Sequence, residues 1–119
     1  MAIKGIFYVF ALVSDLTRSK KFYGEMLGWK LGTEEGNVAG FSFGSGYLVI
    51  HADNSLAATH KTGPMHVAVL VEDVTAEHER LQKLGLEVSA LEDHPWGERN
   101  FSFSDPDGHT WFYSQSMRG

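Results

Sequence analysis

Val13-Ser14-Asp15-Leu16-Thr17 and Val71-Glu72-Asp73-Val74-Thr75 carry the same punctuation, 58 residues apart at the aspartate. Each opens a helical pattern that closes on a Leu-Gly pair, Leu27-Gly28 and then Leu84-Gly85, a shift of 57 at the glycine. Phe41-Ser42-Phe43 returns as Phe101-Ser102-Phe103, a shift of 60. Three matches in one order at nearly constant spacing mark an internal repeat.

Working outward from each aspartate, the two halves read alike. Apolar alternation over 6–13 and again over 65–71 indicates a strand. Ser14 or Asp15, and Asp73, then suit an N-cap, because a short side-chain oxygen accepts from the orphan amides of a first helical turn. Leu16, Ser19, Tyr23, Met26 and Leu27 form one helical face, as do Val74, His78, Leu81 and Leu84. Gly28 and Gly85 stop the helices at a position that calls for positive φ. Three short strands follow in each half, over 29–34, 38–43 and 46–52, then over 86–91, 99–104 and 109–115. The class is α+β, with βαβββ modules over 3–52 and 64–116, a polar linker over 53–63, and a single domain over 1–119.

Composition narrows the function. The 119 residues suit one domain or two small modules sharing a core, and 8 Phe, 4 Tyr and 3 Trp give ample apolar surface to bury. A formal charge of -5 lacks the positive field a phosphate backbone demands, which argues against nucleic acid and mildly favours a cationic small ligand. Zero cysteines exclude disulfides, thiolate metal sites and a cysteine nucleophile, so any metal must use His, Asp, Glu or Tyr. The apolar run over 3–13 is interrupted by Lys4 and is about half the ~20 residues a membrane span needs, so the expectation is a cytoplasmic protein with no membrane contact. No Ser-His-Asp arrangement, phosphate-binding glycine loop or HExxH motif is present.

The duplicated module, the Asp-led helices ending in Leu-Gly, and Asp105-Pro106-Asp107-Gly108 before the last strand resemble the vicinal oxygen chelate superfamily. That superfamily includes glyoxalase I, extradiol dioxygenases, methylmalonyl-CoA epimerase, and fosfomycin and bleomycin resistance proteins. The resemblance covers about residues 3–116 and implies eight strands in a partly closed, barrel-like sheet around a cavity, often completed in a homodimer. It does not identify the reaction, since the fold hosts metal enzymes and metal-free binders alike.

Strand alternation sorts the faces independently of any family. Val9, Ala11 and Val13 suit the side under the helix, leaving Tyr8, Phe10 and Leu12 opposite; Val67, Val69 and Val71 likewise leave His66, Ala68 and Leu70. Tyr8 and His66 are thus equivalent. In metal-binding relatives these positions carry His, and each module's last strand adds Glu, Gln or His. The resemblance therefore implies Tyr8, His51, His66 and Phe112 as the four ligand positions, with Tyr113 replacing Phe112 if the register slips by one. Only His51 and His66 are good ligands, and a catalytic divalent ion usually needs three.

Tyr8, Phe10, Phe43 and Phe112 suit stacking against a planar ligand, although core filling explains each residue taken singly. The segment from Asp93 to Arg99 reads as a loop too rich for a minimal hairpin, with Trp96 as a lid over the cavity and Glu98 or Arg99 meeting a polar group of the ligand. Asp105 and Asp107 suit turn hydrogen bonds better than a metal. Two functions compete. The first is a protein that binds a small aromatic or cationic molecule through Tyr8, Phe10, Phe43, His51, His66, Trp96 and Phe112, its metal site degenerate. The alternative is a lyase, isomerase or dioxygenase using a divalent metal ion on His51 and His66, with Glu98 as base if its loop folds inward.

Overall fold

The computed structural model describes residue 2 and residues 4–52 and 65–117. The chain divides into two compact units, Met1–Gly63 and Pro64–Gly119, each a βαβββ module. The linker expected over 53–63 lies outside the described residues.

In the first module, β1 (Val9–Leu12) is followed by α1 (Leu16–Lys20), which runs on as a π-helical turn over Lys21–Met26. The strands β2 (Lys30–Glu35), β3 (Val38–Phe43) and β4 (Gly46–His51) complete it. Sheet order is β1-β4-β3-β2, with β1 parallel to β4 and the other pairs antiparallel. Asp15 caps α1, its carboxylate accepting from the Arg18 N–H at 3.1 Å. The expected strand over 6–13 is shorter at its start, where Ile6 and Phe7 stand exposed before β1.

The second module repeats the plan with β5 (His66–Leu70), α2 (Val74–Lys83), β6 (Glu92–His94), β7 (Glu98–Ser104) and β8 (Thr110–Ser116), in sheet order β5-β8-β7-β6. Asp73 caps α2 by accepting from Ala76 N–H at 3.0 Å. The strand expected over 86–91 is displaced to Glu92–His94. Its place is taken by a segment in which Ser89 N–H reaches the Ser102 carbonyl, while the Ser89 hydroxyl accepts the Ser102 N–H at 2.8 Å. A side chain substituting for a backbone acceptor ends a regular ladder.

The π turn explains why the repeat shifts by 58 at Asp and by 57 at Gly. From Asp to Gly is thirteen residues in the first module and twelve in the second. The additional residue is absorbed where Leu27 N–H bonds the Phe22 carbonyl five residues back, the widened spacing of a π turn. Both helices then end at left-handed glycines, Gly28 at φ 75° and Gly85 at φ 88°, as the Leu-Gly pairs predict.

Each sheet buries its helix-side face. In the first module Ala11, Val13, Ala39, Phe41, Leu48 and Ile50 pack with Phe22, Tyr23, Leu27 and Trp29, Tyr23 lying 5.2 Å from Trp29 and 5.9 Å from Phe41. In the second, Phe101, Phe103, Trp111 and Tyr113 pack with Val74 and Leu81. Asp105 is buried in the turn before β8, accepting from the N–H groups of Asp107 and His109 at 2.9 Å each, the turn-forming role expected of it. Among the described residues, no helix is long and apolar enough to cross a membrane.

Candidate functional site

Burying one face of each sheet leaves the other open, and most of the candidate residues stand there. On the first module Tyr8 and Phe10 are 45% and 38% exposed. Phe10 lies 6.0 Å from the His51 ring, as the pairing of Leu12 with His51 and of Phe10 with Val49 requires. The Nδ1 atom of His51 is buried without a hydrogen-bond partner among the described residues. Tyr47 lies across the same face, its hydroxyl donating to Thr33 Oγ1 at 3.0 Å and accepting from Thr33 N–H at 3.1 Å.

Phe43 departs from the expectation. It alternates with Ser42 and shares the face of Phe41, where it stacks on Trp29 at 4.6 Å. Because side chains on a strand alternate, Phe41 buried against Tyr23 fixes Phe43 on the helix side, away from Tyr8, Phe10 and His51.

On the second module His66 and Leu70 are exposed, and Phe112 lies 6.3 Å from the His66 ring. Tyr113 is buried on the helix side against Phe101 and Phe103. The last strand therefore keeps Phe112, not Tyr113, on the open face.

The segment from Asp93 to Arg99 is a tight hairpin rather than the longer loop expected. Asp93 pairs with Arg99 and His94 with Glu98, so only Pro95, Trp96 and Gly97 form the turn. Gly97 at φ 87° supplies the left-handed residue that a three-residue hairpin needs, and its N–H bonds the His94 carbonyl at 3.0 Å. Arg99 points to the helix side and is held by Asp93 through contacts of 2.6 and 3.2 Å, which removes it from the ligand role. Trp96, 60% exposed at the tip, stacks on His94 at 4.6 Å and 13°.

Glu98 is the centre of a polar group that the sequence did not reveal. Trp96 Nε1–H donates to Glu98 Oε1 at 2.6 Å, and Asn100 Nδ2–H donates to Oε2 at 3.3 Å. His94 Nε2 lies 2.9 Å from Asn100 Oδ1. These donors, Trp96 foremost, hold the Glu98 carboxyl below the ordinary glutamate range. The nearby Ser114 hydroxyl contributes to that lowering, yet its Oγ is buried without a hydrogen bond of good geometry. Asn100 and Ser114 carried no motif; only the period-two alternation of their strands marks them as sharing a face with Glu98 and Phe112.

Strand register also revises the ligand set that the resemblance implied. His66 and Ala68 pair with Thr110 and Phe112, while Phe10, the counterpart of Ala68, pairs with Val49. The counterpart of Phe112 is therefore Val49, and that of His51 is Ser114, paired with Leu70 as His51 is with Leu12. Carried through this register, the resemblance implies Tyr8, Val49, His66 and Phe112 if Phe112 anchors the set, or Tyr8, His51, His66 and Ser114 if His51 does, and neither set holds more than two imidazoles. Among the described residues no group of three His, Asp or Glu side chains is placed to hold a metal ion. These residues do not fit a catalytic divalent ion.

Known proteins agree with the fold and divide over function. Residues 5–113 match the family model described as the Glyoxalase/Bleomycin resistance protein/Dioxygenase superfamily. The chain is similar to the crystal structure of TnmS3, an antibiotic binding protein from Streptomyces sp. CB03234, with a TM-score of 0.83, 28% identity, and coverage of 98% of each chain. It shares the fold of a lactoylglutathione lyase from Agrobacterium tumefaciens, with a TM-score of 0.81, 18% identity and coverage of 98% and 97%. An uncharacterized protein of Mycobacterium bovis is 39% identical over 56 residues, which span 46% of this chain and 37% of that protein.

Proposed function

Because the chain belongs to the Glyoxalase/Bleomycin resistance protein/Dioxygenase superfamily, we propose that it binds a small aromatic or cationic molecule against its open sheet faces without a catalytic metal ion. The observation that supports this reading is strand register, which sets Phe112 level with Val49 and His51 level with Ser114, so that neither pair brings two strong donors to the last strands. What each open face offers is aromatic surface, Tyr8 and Phe10 on the first module, and Phe112, His66 and Trp96 on the second. Stacking on such rings adds about 0.5–1.5 kcal/mol per pair beyond burial, more for a cation. The similarity to an antibiotic binding protein at 28% identity supports this reading.

Fluorescence titration with proflavine, a planar cation, tests the proposal. Trp29 and Trp111 are buried, so quenching from the exposed Trp96 reports the ligand. We expect saturable quenching that weakens about threefold to tenfold in His66→Ala and in Phe112→Ala, the range expected for losing one stacked ring. Absence of saturable quenching, or unchanged affinity in both variants, would overturn it. A homodimer is part of the same proposal, supported by exposed apolar side chains such as Ile6, Phe7 and Leu70. Sedimentation equilibrium at micromolar concentration checks it, and a monomer would contradict it.

A further inference from the structure

The binding reading leaves the orientation of the ligand open, and the open face of the second module supplies a polar end for it. Glu98 is a carboxylate with one donor on each oxygen, Trp96 on Oε1 and Asn100 on Oε2. A carboxylate offers about four lone-pair sites, so acceptor capacity remains. Beside it Ser114 is only 8% exposed, and its hydroxyl, close enough to help lower the Glu98 carboxyl, makes no hydrogen bond of good geometry among the described residues.

The register places both on one face. Asn100 pairs with Ser114, and Glu98, two residues along the same strand, pairs with Ser116. The stacked rings of His94 and Trp96 flank the carboxylate. The charged and titratable side chains that alternation assigns to this face are Glu92, Glu98, His66 and His94, with no lysine or arginine among its described residues. Such a face repels anions.

We propose that Glu98, Asn100 and Ser114 form the seat for a protonated amine on the ligand, with Trp96 and His94 as its aromatic wall. The assignment rests on the binding reading above and narrows it to ammonium-bearing molecules. An alkylammonium has three N–H donors and no acceptor. One donor reaches a free lone pair of Glu98, whose carboxylate the covered Ser114 hydroxyl backs from beneath, while the positive charge meets the Trp96 face. A neutral hydroxyl group brings no charge to the carboxylate or to the ring, and a carboxylate is excluded by charge. Glu98, held ionised by its donors, acts as a fixed charge rather than as the base considered from sequence.

The test uses three probes that share a naphthalene ring: 2-(2-naphthyl)ethylamine, 2-(2-naphthyl)ethanol and 2-naphthylacetate. Calorimetry on the full chain at pH 7 should rank the amine about tenfold or more above the alcohol, the gain expected of a charge-assisted hydrogen bond, with the acetate weakest. In Glu98→Gln the amine-to-alcohol affinity ratio should fall to about threefold or less, and in Ser114→Ala it should fall partway. Glu79→Gln removes an equal charge from the exposed side of α2 and should leave the ratio at its original value. Equal affinity for amine and alcohol in the unaltered protein, or a ratio that survives Glu98→Gln, would overturn the amine seat while leaving the binding reading intact. If none of the three probes binds, the binding reading falls and the seat falls with it. Circular dichroism of each variant establishes that it has folded, so that a lost ratio reports the site.

Discussion

Replacing Gly40 by alanine should destabilise the first module, against the ordinary preference of a strand. Gly40 is buried on β3, paired with Val49, and it is not among the glycines with positive φ. On conformational grounds alone, Ala in place of a strand Gly stabilises by about 0.5–1 kcal/mol. The Tyr47 ring, however, lies directly over it: a Cβ at position 40 would stand 2.6 Å from two ring carbons. The ring cannot simply swing away, because its hydroxyl is tied to both the N–H and the side chain of Thr33, and a Cβ at Gly32 would meet the same hydroxyl at 2.7 Å. Displacing the ring gives up two hydrogen bonds at about 1 kcal/mol each. Residual overpacking adds about 1 kcal/mol or more. Set against the backbone gain, the net loss is about 2–3 kcal/mol. Urea unfolding of Gly40→Ala measures it, and the Tyr47→Ala background isolates the cause: with the ring gone, alanine at 40 should be neutral or stabilising. If Gly40→Ala alone is as stable as the parent, the close approach of Tyr47 is not what the glycine serves.

Other expectations follow from the same contacts. Asp15→Ala and Asp73→Ala should each lower stability by about 1 kcal/mol in thermal or urea unfolding, since each carboxylate satisfies a first-turn amide. Asp105→Ala should cost more, about 2–3 kcal/mol, because two N–H groups of a buried turn lose their acceptor together. Glu98 and Asp93 both titrate below their ordinary values, Glu98 chiefly through Trp96 and Asp93 chiefly through Arg99. A lowered carboxyl stabilises the fold above its unfolded pKa, and that contribution disappears as pH falls through the lowered folded value. Unfolding measured from pH 6 down to pH 3 should therefore show a decline that is shallower in Glu98→Gln; an identical slope would contradict the hydrogen-bonded carboxylate.

Much of this architecture was legible because its devices are local. A capping Asp, a Leu-Gly stop and an alternating strand each act over a few residues, so their recurrence disclosed two βαβββ modules and the open-face positions of Tyr8, Phe10 and His66. Register between strands is not local. The resemblance set His51 against Phe112, whereas strand pairing sets His51 against Ser114 and Val49 against Phe112. Phe43 was misplaced for a similar reason: aromatic character gives no face, and only its alternation with Ser42 beside the buried Phe41 does. The hairpin at Trp96 was hidden because one left-handed glycine shortens a loop that its composition makes look long. Asn100 and Ser114 are ordinary polar residues in sequence, and they matter only through what a neighbouring strand sets beside them.

The central claim is that this member of the superfamily binds its ligand with aromatic surface and a fixed carboxylate, and needs no metal ion to do so. The most direct measurement is calorimetric titration of 2-(2-naphthyl)ethylamine into protein stripped with chelator, repeated after adding one equivalent each of zinc, nickel or manganese. The account predicts the same affinity, within about twofold, with and without metal, since the contacts it invokes lie outside any ion's coordination shell. Binding that vanishes on chelation and returns with a stoichiometric divalent ion, and that is lost again in His66→Ala, would contradict it.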